Sequence, residues 1–185
     1  MVRIQEYGVN LDIEIPAVVN ASMEVFYNPI MISNRNISIA LLSALGAKNM
    51  KMADIMAGSG IRSLRFLREL DDSIIGQLVV NDSKTNFAKT FFALCKDNEI
   101  LINELVESGK MKIIVGDANE AVMKSKGFDY IEIDPFGTPN PFLSSAIARI
   151  SRGGIVAVTA TDTAALTGTY PKVTYRKYWA KPVKK

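Results

Sequence analysis

Apolar and polar residues alternate through VNLDIEI, residues 9–15, and predict a short strand or hairpin arm that Pro16 ends. The period then changes repeatedly. A helical spacing covers residues 38–45, and the apolar run MADIM follows, with Asp54, Ile55 and Met56 as the end of a strand. Residues 61–70 predict a helix with Ile61, Leu64, Phe66, Leu67 and Leu70 toward a sheet. Further strands are predicted at 76–81, Met111–Val115, Phe128–Ile133 and 153–160. Helical segments are predicted at 84–95, at 99–107, and after Pro141 with Phe142, Leu143, Ala146, Ile147 and Ile150. Strands and helices in alternation predict an α/β fold with a Rossmann-like, mostly parallel sheet covered on both faces. The last stretch, TATDTAALTGTYPKVTYRKYWAKPVKK, supplies no further strand–helix pair.

Polar residues at the strand ends carry the candidate chemistry. In AGSG, Ala57, Gly58, Ser59 and Gly60 form a turn that exposes backbone N–H groups ahead of a helix, an arrangement that binds the polar part of a cofactor. Asp54, which closes the strand, belongs to the same edge. Asp82, in GQLVVND, stands where an acid accepts hydrogen bonds from ribose hydroxyls, so the cofactor is a dinucleotide or S-adenosylmethionine. The third glycine of GxGxxG is missing and Arg62 takes the place of a small residue, which favours the methyl donor. Asp117, before Ala118, either meets an adenine amino group or caps a helix. Asp134 follows a buried strand and precedes Pro135, Phe136, Gly137, Thr138 and Pro139; Phe136 offers a face for a base. Phe26 and Tyr27 lie in an aromatic turn before Asn28 and Pro29. Arg35, read as lying just ahead of a helix, would reach the mouth of the cofactor site and pair with a carboxylate.

Composition removes several alternatives. The 185 residues hold no histidine and one cysteine, so intrachain disulfides, Cys/His zinc sites and histidine-based triads are excluded, and no metal is expected. Cys95 lies in an apolar helical segment and reads as a small buried hydrophobe. No signal-peptide pattern or membrane-length apolar run occurs, and a cytoplasmic location without membrane contact is expected. A formal charge of +3 lends weak support to an anionic partner. Arg62, Arg65 and Arg68 fall three apart and are expected to project together, outward or toward the carboxyl edge of the sheet. Lys172, Arg176, Lys177, Lys181, Lys184 and Lys185 interleave with Tyr170, Tyr175, Tyr178 and Trp179, which suits phosphates and bases or a solvated tail equally.

Together VFYNP with NRN, DIMAGSGIRSLRFLRE, VVND, GDA, EIDPFGTP and TATDTAALTGTYP with YRKYWAKP resemble the tRNA (guanine-26 N2)-dimethyltransferases, the Trm1 family. GSG and ND are weak signals alone; DPFGTP followed by TATDTAALTGTYP is specific. The resemblance implies a class I S-adenosylmethionine-dependent methyltransferase core over 51–185, after an N-terminal extension and lead-in helix over 1–50. It also implies that the sheet is truncated after its fifth strand and that a tRNA-binding C-terminal domain is absent, to be supplied by a missing segment or a complementing chain. Carried over by position, Ala57, Gly58 and Gly60 would surround the methionine part of the donor, Arg35 and Arg62 its carboxylate, Asp82 the ribose, and Asp117 with Ala118 the adenine. Asp134 would be catalytic, meeting the target guanine amino group, with Phe26, Pro135, Phe136, Gly137 and Thr138 around the base. Thr138 replaces a frequent serine and keeps the hydroxyl. Competing readings are an amino methyltransferase for another RNA base, a donor-binding and RNA-binding module that needs another chain, and, last, a dinucleotide-dependent oxidoreductase.

Overall fold

A computed structural model describes residues 2–13, 25–125 and 127–182. The end of the expected first strand with Pro16, and Lys184 and Lys185 of the basic tail, lie outside the described residues. Strands β1 (Val2–Glu6) and β2 (Val9–Ile13) form an antiparallel hairpin. Its two-residue turn places Tyr7 at φ 48° and Gly8 at φ 81°, the paired left-handed conformation that matches strand twist.

A second sheet has five parallel strands: β3 (Met50–Asp54), β4 (Ile75–Asp82), β5 (Met111–Val115), β6 (Phe128–Ile133) and β7 (Ile150–Val158). Their order is β5-β4-β3-β6-β7, so the expected Rossmann-like parallel sheet is found. The winding reverses between β3 and β6, and the carboxyl ends of those two strands flank a crevice where ligands bind in such sheets.

Period-two alternation sends neighbouring strand residues to opposite faces. Met52, Leu78, Val80 and Tyr130 pack with α1 (Ile32–Leu45), α2 (Ile61–Glu69), α3 (Phe87–Asp97) and α4 (Ile102–Glu107). Ala53, Val79, Ile131 and Ile133 pack on the other face, with α5 (Ala118–Met123) and α6 (Asn140–Arg149), and Phe128, at the start of β6, joins them out of that alternation. The final stretch forms α7 (Thr163–Leu166) and α8 (Pro171–Tyr178), and no strand. Among the described residues no helix is long and apolar enough to cross a membrane.

Several boundaries differ from expectation. The first helix begins at Ile32, because Asn28 caps the short 3-10 turn Pro29–Met31 that leads into it, so Arg35 lies inside α1. The central strand stops at Asp54, and Ile55 and Met56 enter the turn. Ile150 opens β7 instead of closing α6. The arginines of α2 do not project together: Arg62 and Arg65 are buried, and only Arg68 is exposed. Carboxylates on the covering elements explain this, and hydrophobic periodicity does not register them.

The hairpin is fastened to the core by Asn98, just beyond α3. Its side chain accepts from Asn10 N at 2.7 Å and donates to Asn10 O and to Leu94 O, each at 2.8 Å. Asn98→Ala strips three bonds from a site that is almost fully buried. It should cost roughly 2 kcal/mol in urea unfolding. A loss below about 0.5 kcal/mol would mean that apolar packing alone holds the hairpin.

Candidate active site

Residues 130, 132 and 134 share one face of β6 and its extension, and Glu132 is the register partner of Asp54 on β3. Both strands therefore present acids to α2, where Arg62 meets them. Its Nη2 donates to Asp134 Oδ2 at 2.9 Å and to Asn34 Oδ1 at 2.7 Å. Its Nη1 donates to Ser38 Oγ at 3.0 Å and lies 3.4 Å from Glu132 Oε2. Ser38 Oγ lies 3.1 Å from Glu132 Oε2 as donor, and the Tyr130 hydroxyl donates to the same oxygen. Asp54 accepts from Ser63 Oγ at 2.8 Å.

This cluster holds more acid than base. Burial raises Asp54 to about 6 and Glu132 to about 7, against the opposing pull of Arg62. Burial works against the Arg62 charge, but Glu132, Asp54 and Asp134 together raise its pKa. Asp134 is the more open of the acids, with a side chain 22 % exposed, and its Oδ1 has no bond among the described residues.

The turn after β3 is shaped for close approach. Gly58 N donates to Asp82 Oδ2 at 2.8 Å, Ala57 N to Asn81 O at 2.9 Å, and Ser59 N to Phe26 O at 3.0 Å. Gly60, at φ 82°, caps α2, and a Cβ there would stand 2.2 Å from the Phe91 ring. No side chain but hydrogen fits. A shallow hollow of about 30 Å³ lies above, lined by Phe26, Tyr27, Arg35, Asp54, Ala57, Ser59, Arg62 and Asp134 among others. A wider hollow between α3 and α4 contains none of the residues singled out by sequence and lies off the switch point.

Of the sequence-selected residues, Phe26, Arg35, Asp54, Ala57, Arg62 and Asp134 share the hollow, while Gly58 and Gly60 shape the turn beneath it. Asp82 stands at the end of β4, its carboxylate holding Gly58 N and Lys84 N. Asp117 is exposed and caps α5 by accepting from Glu120 N at 3.0 Å, with Ala118 buried behind it. Arg35 does pair with a carboxylate, that of Glu6. The Phe136 and Phe26 rings meet edge to face at 4.8 Å.

After Asp134, Gly137 N donates to Thr161 Oγ1 at 2.8 Å, and Thr161 N donates to Gly137 O at 3.1 Å. The segment from Thr159 thus clamps the loop that holds Pro135, Phe136, Gly137 and Thr138. Lys177 and Tyr178 belong to this scaffold, since both bond Asp162. Lys172, Tyr175, Arg176 and Trp179 remain on the exposed side of α8 and its end. Sequence reading overlooked Glu132, Asn34 and Ser38; the signal for Glu132 was an acid inside an otherwise buried strand, two residues ahead of Asp134.

The hollow thus brings two guanidinium groups, Arg35 and Arg62, beside two carboxylates, Asp54 and Asp134, while Asp82 stands outside it at the end of β4. The family model for N2,N2-dimethylguanosine tRNA methyltransferase matches residues 6–185. The chain is 40% identical over 176 residues to the tRNA (guanine(26)-N(2)/guanine(27)-N(2))-dimethyltransferase of Aquifex aeolicus, covering 92% of this chain and 43% of that protein. It is 36% identical over 189 residues to the tRNA (guanine(26)-N(2))-dimethyltransferase of Methanothermobacter thermautotrophicus, covering 100% of this chain and 47% of that protein. The solved complex of Trm1 from Pyrococcus horikoshii with S-adenosyl-L-methionine superposes with a TM-score of 0.76 at 30% identity, over 100% of this chain and 49% of that one. The chain therefore spans less than half the length of these relatives and carries the class I methyltransferase fold. By sequence and by fold, it belongs to the N2,N2-dimethylguanosine tRNA methyltransferase family.

Proposed function

We propose that the chain is the catalytic portion of an enzyme that methylates the exocyclic N2 of guanine 26 in tRNA, once and then again, with S-adenosylmethionine as donor. The observation that carries this reading is the Asp134 carboxylate, fixed by Arg62 through one oxygen, with the other oxygen unbonded among the described residues at the switch point. The donor roles on this reading fall to residues of the hollow and to Asp82, Asp117 and Ala118 at the neighbouring strand ends. Arg35 and Arg62 face the carboxylate of the methionine part, the Ala57–Gly60 turn and Asp54 lie along it, Asp82 holds the ribose hydroxyls, and Asp117 with Ala118 frames the adenine. When bound, the donor supplies an electrophilic methyl group on a positively charged sulfur.

Guanine N2 is a weak nucleophile because its lone pair is delocalised into the ring. Asp134 accepts one N2–H, orients the amine along the methyl–sulfur axis, and takes the proton as the N–C bond forms and the C–S bond breaks. Arg62 keeps Asp134 in place throughout. Phe26 and Phe136 hold the base flat after it leaves its stack. Pro135, Gly137 and Thr138 set the loop on which Phe136 rides. Lys172 and Arg176 with Tyr175 and Trp179 offer phosphate and stacking contacts to the RNA. A tRNA substrate fits a cytoplasmic site of action.

A second reading has its own observation. The outer edge of β7 is unpaired among the described residues, and the chain covers less than half of its relatives. On that reading the chain binds the donor but transfers methyl groups only when another segment is supplied. Labelled methyl transfer to unmodified tRNA, with a G26→A control and nucleoside analysis, separates the two. Product that depends on G26 supports the enzyme reading. Donor binding without product supports the incomplete one, and product that persists in the control sinks the site assignment.

Asp134→Ala should retain donor binding and lose transfer by roughly 10²–10⁴-fold; equal rates would remove Asp134 from the mechanism. The buried acids set a pH dependence. Burial holds Asp54 at about 6 and Glu132 at about 7, and a cationic donor favours their ionised forms, so binding expels protons below those values. Donor affinity should therefore climb by roughly tenfold from about pH 5 to about pH 7 and then level off. Titration calorimetry across that range checks it, and a flat profile would contradict a cation seated beside these acids.

A further inference from the structure

We propose that Glu6 is a positioning residue of the methyl-donor site, holding Arg35 and the Phe26–Asn28 segment in place, so that the N-terminal hairpin forms part of the site. This rests on the donor site described above. Glu6 is almost fully buried although it stands on β1, outside the parallel sheet. Its two oxygens accept four bonds. Arg35 Nε and Nη2 donate at 2.7 and 2.6 Å, Arg65 Nη1 at 2.7 Å and the Tyr27 hydroxyl at 3.0 Å.

Two of these partners, Arg35 and Tyr27, line the donor hollow. The fork to Glu6 occupies Nε and one side of Arg35 Nη2, which also donates to Asn28 O at 3.3 Å, and Nη1 has no bond among the described residues. A planar guanidinium held along one edge has its other edge fixed in direction. The segment 26–28 is gripped on its other side by the glycine turn, where Ser59 N donates to Phe26 O. Glu6 closes that grip through Tyr27. The tight hairpin turn at Tyr7 and Gly8 and the Arg65 guanidinium, 4.3 Å from the Tyr7 ring, keep the carboxylate inward. Burial opposes the charge, but bonds from Arg35, Arg65 and Tyr27 leave the Glu6 pKa below the ordinary carboxylate value. It is thus a fixed anion at neutral pH.

A purely stabilising role would be shared with Glu69, which bonds the same Arg65 at 2.6 Å and, among the described residues, bonds no residue of the hollow. The test compares S-adenosylmethionine dissociation constants and melting temperatures for wild type, Glu6→Gln and Glu69→Gln, with binding read well below each melting point. Glu6→Gln should weaken the donor by about tenfold or more, and Glu69→Gln should stay within about twofold, while both melt lower. Should Glu6→Gln fail to fold, Tyr27→Phe decides, with a loss of about threefold expected from the missing bond alone. Unchanged affinity in the folded variants, or equal loss in Glu6→Gln and Glu69→Gln, overturns the proposal and leaves the donor site standing. A wild-type chain that binds no donor overturns both.

Discussion

A guanidinium withdrawn from water has to be surrounded, and the arrangement of this molecule around its switch point follows from meeting that demand at Arg62. An unpaired charge at such depth costs roughly 3–5 kcal/mol, a large part of the stability of any small domain. The acids come from β3, from β6 and from the loop beyond it, and the neutral acceptors Asn34 and Ser38 come from α1. Four parts of the chain are thus brought to one point. Three carboxylates against one arginine overshoot, and the surplus appears as the raised pKa values of Asp54 and Glu132, which burial causes and Arg62 only moderates. A site built in this way favours an incoming positive charge before any ligand is named.

From Arg62 the constraint passes outward along bonded contacts. Asn34 accepts from Arg62 and donates to Thr159 Oγ1 at 3.2 Å, at the start of the segment that clamps Gly137 through Thr161. Asp162, one residue further, anchors Lys177 and Tyr178 of α8, and Asn140 donates to the Lys177 carbonyl. The loop behind Asp134 is therefore held by residues some twenty-five positions later in the chain. That gives TATDT a physical reason for accompanying DPFGTP: the second motif supplies the partners for the backbone N–H and C=O of Gly137 in the first.

The parallel sheet was legible because its strands are apolar on both faces and its turns carry glycine and aspartate. The acids Asp54, Asp82 and Asp134 were legible because each interrupts such a strand at its carboxyl end. The burial of Arg65, and the partner that Arg35 takes, were not. Periodicity marks a charged residue as outward-facing, whereas Glu6, distant in sequence and on a separate hairpin, bonds both of these arginines inward, with Glu69 also on Arg65. Asn98 was hidden for the same reason, since its partners at Asn10 are 88 positions away. Local pattern reports where the core lies; buried polar groups report which distant elements meet, and that information is not periodic.

The aromatic pair shows how modest interactions can set the order of events. Phe26 and Phe136 touch edge to face at 4.8 Å, whereas a base stacked between two rings needs them about 7 Å apart. Their mutual contact and a bound base are therefore exclusive. The ring pair is worth about 0.5–1.5 kcal/mol, and stacking a base on an aromatic side chain about 1–3 kcal/mol per face exposed to it. On the proposed reading, insertion of a base would replace one weak contact with two stronger ones. That net gain, about 0.5–5.5 kcal/mol, is of the same size as the few kcal/mol that leaving an RNA stack costs, so stacking alone would leave the exchange near balance. On the proposed reading a further contact would tip that balance, and Asp134 Oδ1, without a bond among the described residues, could accept one from a base presenting its amino edge.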